Sequence, residues 1–469
     1  MKAKLLINGD WINSDERDVI VTPIGDHIEV SMANEQYIYK AIKAAEQGKE
    51  EMRKLSSYDR YRILLNVANE INNRKDELSK LIAKEAGKPI SLSRTEVNRA
   101  ILTFTLAAEE SKRISGEVIP LDIDSSFSNY IGYTRIFPIG IILAITPFNF
   151  PLNLVAHKIA PAIASGNPLI LKPSPYTPYT ACVLAEICLN AGFPPQAINV
   201  LHCSNNNAEL LVKNDNISMI SFTGSAQVGW YLKSICKKKN VVLEMGGNTA
   251  SIITDTADLE WAISRLAIGA FAYSGQICIS IQRIYVYSNV YEKFLDLFLN
   301  ATDKLKVGDV FDETTIVGPM ISTDAADRVE NWLAEAINSG AQYLKKGTRV
   351  KNILYPSILI HASKEMKIYS EEVFGPVVII EDVKRIDEAI ARVNDSRYGL
   401  QASIFTNEIS IANKAIEEIE VGGLIINDYP TLRIDNMPYG GIKDSGFGRE
   451  GIKYAIEQMT EKKMIVYKL

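Results

Sequence analysis

Apolar positions recur at helical spacing over Asn34 to Arg53, Tyr58 to Arg74 and Asp76 to Ala86, the last run halted by Gly87 and by Pro89. These predict a helical layer at the start of the chain. Tyr130 to Phe137 then alternates as a strand does, after a polar stretch from Asp122 to Asn129, and predicts a projecting hairpin or ribbon. From Pro138 onward the short apolar runs 141–145, 169–171, 198–201, 219–222 and 241–243 are separated by helical patterns over 178–190, 206–213 and 226–236. That alternation is the signature of a parallel sheet with crossover helices. A second series from Ala250 to about Asn436, with strands predicted at 284–287, 377–380 and 423–426, implies a second α/β domain. No internal repeat or low-complexity linker appears, and the boundary is placed near residue 246. Ligands of such sheets sit beyond the carboxyl ends of the strands, so the residues following each run are the ones to inspect.

Composition narrows the class. The 469 residues exceed what one core usually organises, and 47% hydrophobic with 23% charged residues is ordinary globular usage. The formal charge of -5 is spread along the chain, so no nucleic-acid footprint is expected. No apolar stretch approaches the ~20 residues of a membrane span, and Met1 to Asp10 carries no targeting pattern, so a cytoplasmic protein without membrane partners is expected. Five cysteines without CxxC spacing and four scattered histidines imply neither a disulfide framework nor a metal site.

Five local patterns stand at the ends of the predicted strands. Thr146-Pro147-Phe148-Asn149-Phe150-Pro151 presents an amide after a strand stop, and Leu171-Lys172-Pro173-Ser174 sets an ammonium at the end of a buried strand. Phe222-Thr223-Gly224-Ser225 through Gly229 reads as strand, glycine turn and helix start, where free N–H groups suit a phosphate. Leu243-Glu244-Met245-Gly246-Gly247 places a carboxylate beside two glycines, and Ser274-Gly275-Gln276-Ile277-Cys278 places a thiol in a glycine-containing loop. Taken singly, each has a bland reading: a turn asparagine, a solvated lysine, a structural turn, a buried acid, an inert cysteine.

Together they resemble the aldehyde dehydrogenase superfamily in order and spacing. Further matches are Glu371-Glu372-Val373-Phe374-Gly375-Pro376, Asn427 and the run Pro438-Tyr439-Gly440-Gly441-Ile442-Lys443-Asp444-Ser445-Gly446. The resemblance spans essentially the whole chain. It implies an α/β fold with a Rossmann-like cofactor domain (1–116 and 138–246, with 438–454 returning to it) and an α/β catalytic domain (247–437). A small β oligomerisation ribbon (117–137 and 455–469) completes the implied fold. It also implies Cys278 as nucleophile, Glu244 as general base and Asn149 as oxyanion donor. Thr146, Pro147, Phe148, Lys172, Ser174, Pro175, Gly224, Ser225, Gly229, Glu372 and Phe374 are the implied cofactor contacts. Asn149, Phe150, Asn153, His157, Ile277, Ile279 and Arg433 are the expected substrate wall.

Two departures refine the resemblance. Many NAD-using members carry Glu where this chain has Pro175, three residues after Lys172. The anion that would repel a 2′-phosphate is missing, so NADP is expected as the preferred cofactor, with NAD as the alternative. His157 stands where relatives acting on succinate semialdehyde tend to have Arg, and an imidazole suits a carboxylate less well than a guanidinium fork. A small hydroxyaldehyde such as lactaldehyde or glyceraldehyde is therefore the expected substrate, with succinate semialdehyde or glyceraldehyde 3-phosphate as alternatives. CoA-acylating relatives usually lack the carboxylate present here at Glu244, which favours hydrolysis. A non-catalytic binding role would free Cys278, Glu244 and Asn149 to drift, and all three are intact. The ribbon implies a homodimer or homotetramer.

Overall fold

Short runs rich in Ile, Leu and Val form strands buried on both faces, as parallel sheets covered by helices require. In the computed structural model, which describes residues 1–469, five of them are β1 (Ile141–Ile145), β2 (Leu169–Lys172), β3 (Ile198–Val200), β4 (Ile217–Gly224) and β5 (Asn240–Met245). They are parallel and stand in the order β5-β4-β1-β2-β3. The chain runs outward from β1 to β3, crosses back, and runs outward again from β4 to β5. The reversal falls between β1 and β4, the kind of crevice where open α/β sheets bind ligands. Gly446–Phe447 pairs antiparallel beside β5, and Leu5–Ile7 with Asp10–Ile12 extends the β3 side, giving eight strands.

The helical layer consists of Glu35–Lys54, Ser57–Asn73 and Lys75–Ala86, as the periodicity predicts, together with Ile90–Ser111. The fourth helix begins directly after Pro89, whose fixed φ starts a helix as readily as it ends one. Another helix without a sequence signal is α1 (Asn153–Ser165). All its residues are buried and Pro161 lies inside it, so neither amphipathic periodicity nor propensity marks it. Two helices frame the site: α2 (Ala226–Ile235) follows β4, and α3 (Leu259–Phe271) leads to the cysteine loop.

The second sheet has seven strands, in the order 342–345, 357–360, 377–383, 283–287, 250–253, 401–405 and 423–426. Only the 342–345 edge is antiparallel. A third, small sheet joins the chain's middle to its end: Tyr130–Pro138 pairs with Thr460–Lys468 along nine positions, and Val118–Ile119 lies on its other side. This ribbon strand begins at Thr460; residues 455–458, expected in the ribbon, instead belong to the helix Ile452–Gln458 packed against α1. The fold is the α/β arrangement expected. No helix is long and apolar enough to cross a membrane.

Candidate active site

A cavity of about 550 Å³ opens where the carboxyl ends of β1, β4 and β5 meet the second domain. Phe148, Asn149, Gly224, Ser225 and Glu244 line it from the first domain; Cys278, Glu372, Phe374, Arg433 and Tyr439 face them.

The cysteine is presented by a strained loop. After α3, Tyr273, Ser274 and Gly275 take φ of 51°, 56° and 68° in succession, a left-handed run that costs free energy at the two non-glycine positions. The surroundings enforce it. Tyr273 Oη donates to the Ala86 carbonyl at 2.9 Å, Ser274 Oγ to the Gly318 carbonyl at 2.5 Å, and Gln276 Oε1 accepts from the Ile321 N–H at 2.8 Å. A side chain at 275 would run into the Gly375 carbonyl. The loop delivers Cys278 Sγ to within 3.0 Å of Tyr439 Oη. Burial pushes the thiol up to about 11, opposed by the Tyr439 hydrogen bond and the Arg433 charge.

Asn149 Nδ2 donates to the Gln276 carbonyl at 3.0 Å, which fixes the amide plane and leaves its second N–H available. Glu244, next to last in β5, is 2% exposed and neither carboxyl oxygen has a partner. Burial, then the charge of Glu450, raises its pKa well above the carboxylate range, against Arg433, Lys158 and Arg449. Glu450 lies behind it, ion-paired to Lys158 and, at 3.1 Å, to Arg433. Burial opposes its ionisation, but these cations hold its pKa at about 2.

The first-domain side fits a dinucleotide. Ser225 caps α2 without a side-chain hydrogen bond, so the helix's first N–H groups and positive dipole end are free where Ser225, Ala226 and Gln227 line the cavity. A Cβ at Gly246 would occupy the place of the Glu372 carboxylate, whose Oε1 has no partner. Burial pushes that carboxyl up to about 8. Phe374, at φ 46°, packs edge-on to Phe148 with centroids 5.9 Å apart. Lys172 closes β2 almost fully buried, and desolvation lowers its pKa.

The other expected residues fall into three groups. Thr146 and Ser174 are buried just past the ends of β1 and β2 and do not line the cavity, and Pro175 is exposed in the turn after β2. Gly229 lies one turn into α2, where a Cβ would overlap Met245 Sδ, so its role is close packing of helix on strand. Pro147 joins the cavity lining; Ile277 borders a narrow crevice with Glu372, Ile279 packs on Leu400 and Tyr439, and Phe150 carries the Lys88 ammonium 3.5 Å above its ring.

Asn153 and His157 do not form a substrate wall. They stand one turn apart on α1 and both point at Asp435, with His157 Nε2 2.8 Å and Asn153 Nδ2 3.3 Å from Oδ1. Arg99 grips the same carboxylate through two hydrogen bonds of 2.7 and 3.1 Å. These side chains fasten the loop that carries Arg433, and neither α1 residue reaches the cavity. In contrast, Arg328, Trp332, Arg397 and Tyr439 line it without having been singled out. Arg328 and Trp332 are one turn apart on the amphipathic helix Thr323–Asn338, where no local pattern separates them from a solvated face, and the run around Tyr439 carries no sign of what its hydroxyl meets.

The family model for aldehyde dehydrogenases matches residues 11–465. The chain belongs to the aldehyde dehydrogenase family. A 3-sulfolactaldehyde dehydrogenase of Priestia megaterium is 43% identical over 470 residues, covering 99% of this chain and 98% of that protein. The lactaldehyde dehydrogenase of Methanocaldococcus jannaschii is 41% identical over 469 residues, covering 98% and 99%. The crystal structure of a glyceraldehyde-3-phosphate dehydrogenase from the same archaeon, complexed with NADP, matches with a TM-score of 0.93 at 41% identity, covering 97% of this chain and 100% of that one. As a member of this NAD(P)-dependent family, the protein is an oxidoreductase acting on aldehydes.

Proposed function

We propose that the protein oxidises a small 2-hydroxyaldehyde, such as lactaldehyde or glyceraldehyde, to its carboxylic acid through a thiohemiacetal and a thioester on Cys278. The observation that carries this reading is the convergence of Cys278, Asn149 and Glu244 on one cavity. Cys278 adds to the carbonyl carbon as a thiolate. The oxyanion that results is met by the free N–H of Asn149 and by the Cys278 backbone N–H, each such donor contributing about 3 kcal/mol. Ser225 at the start of α2, with Glu372 and Phe374, would hold a dinucleotide whose nicotinamide would supply the hydride acceptor. Glu244 then takes a proton from the water that attacks the thioester. NADP is the preferred cofactor, supported by Pro175 in place of an acid near Lys172 and by the NADP-bound relative.

One observation favours a second reading, in which the hydroxyaldehyde carries an anionic tail. Arg433 borders the cavity and its buried Nε has no partner, a donor that a sulfonate or phosphate oxygen would satisfy. The relatives named for 3-sulfolactaldehyde and glyceraldehyde 3-phosphate support it.

Initial rates for lactaldehyde, glyceraldehyde, 3-sulfolactaldehyde, glyceraldehyde 3-phosphate and succinate semialdehyde, each with NADP and NAD, decide between them. The highest kcat/KM for a neutral hydroxyaldehyde supports the first reading, and a preference for an anionic one installs the second. Cys278→Ala should abolish turnover and leave dinucleotide affinity nearly unchanged, because the thiol makes the covalent bond without holding the cofactor. Residual turnover above about 1% of wild type removes Cys278 as nucleophile.

A further inference from the structure

Tyr439 makes one side-chain hydrogen bond, and its partner is the reacting sulfur: Oη stands 3.0 Å from Cys278 Sγ. The ring is 3% exposed. It is fixed from three directions. The Arg433 guanidinium lies 3.9 Å above its face, Ile279 and Leu400 pack around it, and its backbone exchanges N–H···O bonds with Glu450 at 3.0 and 2.7 Å. A hydroxyl held this firmly, with no other acceptor, is preorganised for that sulfur.

Which atom carries the shared proton follows from the two environments. A thiolate has no proton to give, so once Cys278 ionises the hydroxyl must be the donor. Burial, then the Cys278 charge, drives the phenol well above its usual range, so the proton stays on oxygen. The charged and titratable groups facing the pair are Arg433 from the 427–438 loop, Glu244 from β5 and Glu372 from the segment before strand 377–383. Arg433 favours the thiolate and the two carboxyls oppose it. Stacked on the ring, the guanidinium also withdraws electron density and makes the O–H a stronger donor.

We infer that Tyr439 is a further catalytic residue, whose hydroxyl donates a hydrogen bond to the Cys278 thiolate and holds the sulfur ready for the aldehyde. The inference rests on the reading of Cys278 as nucleophile. The thiol proton is lost to solvent, and Tyr439 keeps its own throughout. When sulfur attacks, the new C–S bond forms from its lone pair, the carbonyl π pair moves onto oxygen, and the negative charge passes with it. The neutral, divalent sulfur is a poor acceptor, so the bond to Tyr439 weakens as the thiohemiacetal forms. Tyr439 thus stabilises the reactant anion and sets how much of the thiol is ionised at working pH.

The test is the rate at which iodoacetamide alkylates Cys278 in the full-length protein, followed by peptide mass spectrometry from about pH 6 to about pH 9, where thiolate is the minor form. A neutral donor to an ionised acceptor is worth a factor of roughly ten to a hundred in thiolate population, and the gain in intrinsic nucleophilicity on losing it returns part of that. Tyr439→Phe keeps the ring and its packing, and should slow alkylation roughly five- to fifteenfold across this range, with a parallel fall in kcat/KM for the aldehyde and an unchanged dinucleotide Kd. Replacing Tyr439 by 3-fluorotyrosine, a more acidic phenol and better donor, should speed alkylation. That opposite response distinguishes a hydrogen bond from a packing role, and it carries the test alone if the Phe variant does not fold. An alkylation rate at Cys278 that neither substitution changes overturns the role of Tyr439 and leaves the nucleophile intact. Labelling that bypasses Cys278 overturns both.

Discussion

Glu244, the proposed general base, shows what a buried carboxyl without partners costs the fold. Its two oxygens are buried without partners, and its pKa is raised well above the carboxylate range by burial first and Glu450 second. The folded state therefore holds this proton more tightly than the unfolded chain. In the unfolded chain the carboxyl ionises near its ordinary value, so from that pH upward the unfolded state gains, until the folded group ionises too. Stability due to this residue thus declines as pH rises, whereas the general base works only when deprotonated. Turnover limited by deacylation should rise with pH along a limb that Glu244→Gln removes. That variant should keep a pre-steady-state burst of reduced cofactor and lose about 10²- to 10⁴-fold in steady-state rate. It should also melt higher than wild type, by a margin larger at pH 8 than at pH 5, as differential scanning fluorimetry would read. An equal loss of burst and turnover counts against the assignment.

At the scale of elements, the ends of strands carry the candidate residues, and the turn after β2 bears on the choice of cofactor. β2 delivers Lys172 nearly buried, and the turn after it leaves Pro175 exposed. Pro175→Glu should weaken NADP binding roughly tenfold or more, since a carboxylate about 4 Å from a 2′-phosphate repels it by a few kcal/mol at the effective dielectric of a partly buried site. The ratio of kcat/KM for NADP over NAD is the measurement, because the loss of proline's fixed φ affects both cofactors alike. An unchanged ratio overturns this account of the turn.

The same scale decides what the sequence could reveal. The inner strands are short apolar runs ended by Pro, Gly or a charge, so the strand ends bearing Asn149, Glu244 and Ser225 were legible. α1 was not, because a helix buried on every side has no polar face to give it a period. The orientation of Asn153 and His157 was hidden for another reason: their partner Asp435 lies 278 residues from His157 along the chain, and local pattern carries no trace of so distant a contact. The Tyr439–Cys278 contact, across 161 residues, is of the same kind.

For the whole molecule, the ribbon is the conspicuous unfinished surface. Thr460–Lys468 is an edge strand nine residues long, and Val118, Ile123, Val466, Tyr467 and Leu469 are each more than half exposed. Long edges with apolar side chains are normally paired or covered. Light scattering at micromolar concentration should give a mass at least twice that of the chain, and deletion of residues 460–469 should reduce it. A monomer under those conditions refutes assembly through this edge.

The pairing of that strand also fixes when the ribbon can close during synthesis. Lys462 meets Glu117 from 345 residues further along the chain. At ~5–20 residues per second of synthesis, Tyr130–Pro138 waits roughly 20–70 s for its partner. The five parallel strands β1 to β5 can pair in that interval, but the ribbon cannot, so the assembly expected through it has to wait until residues 460–468 have emerged. Chains cut short before residue 460 should therefore fail to associate through this edge.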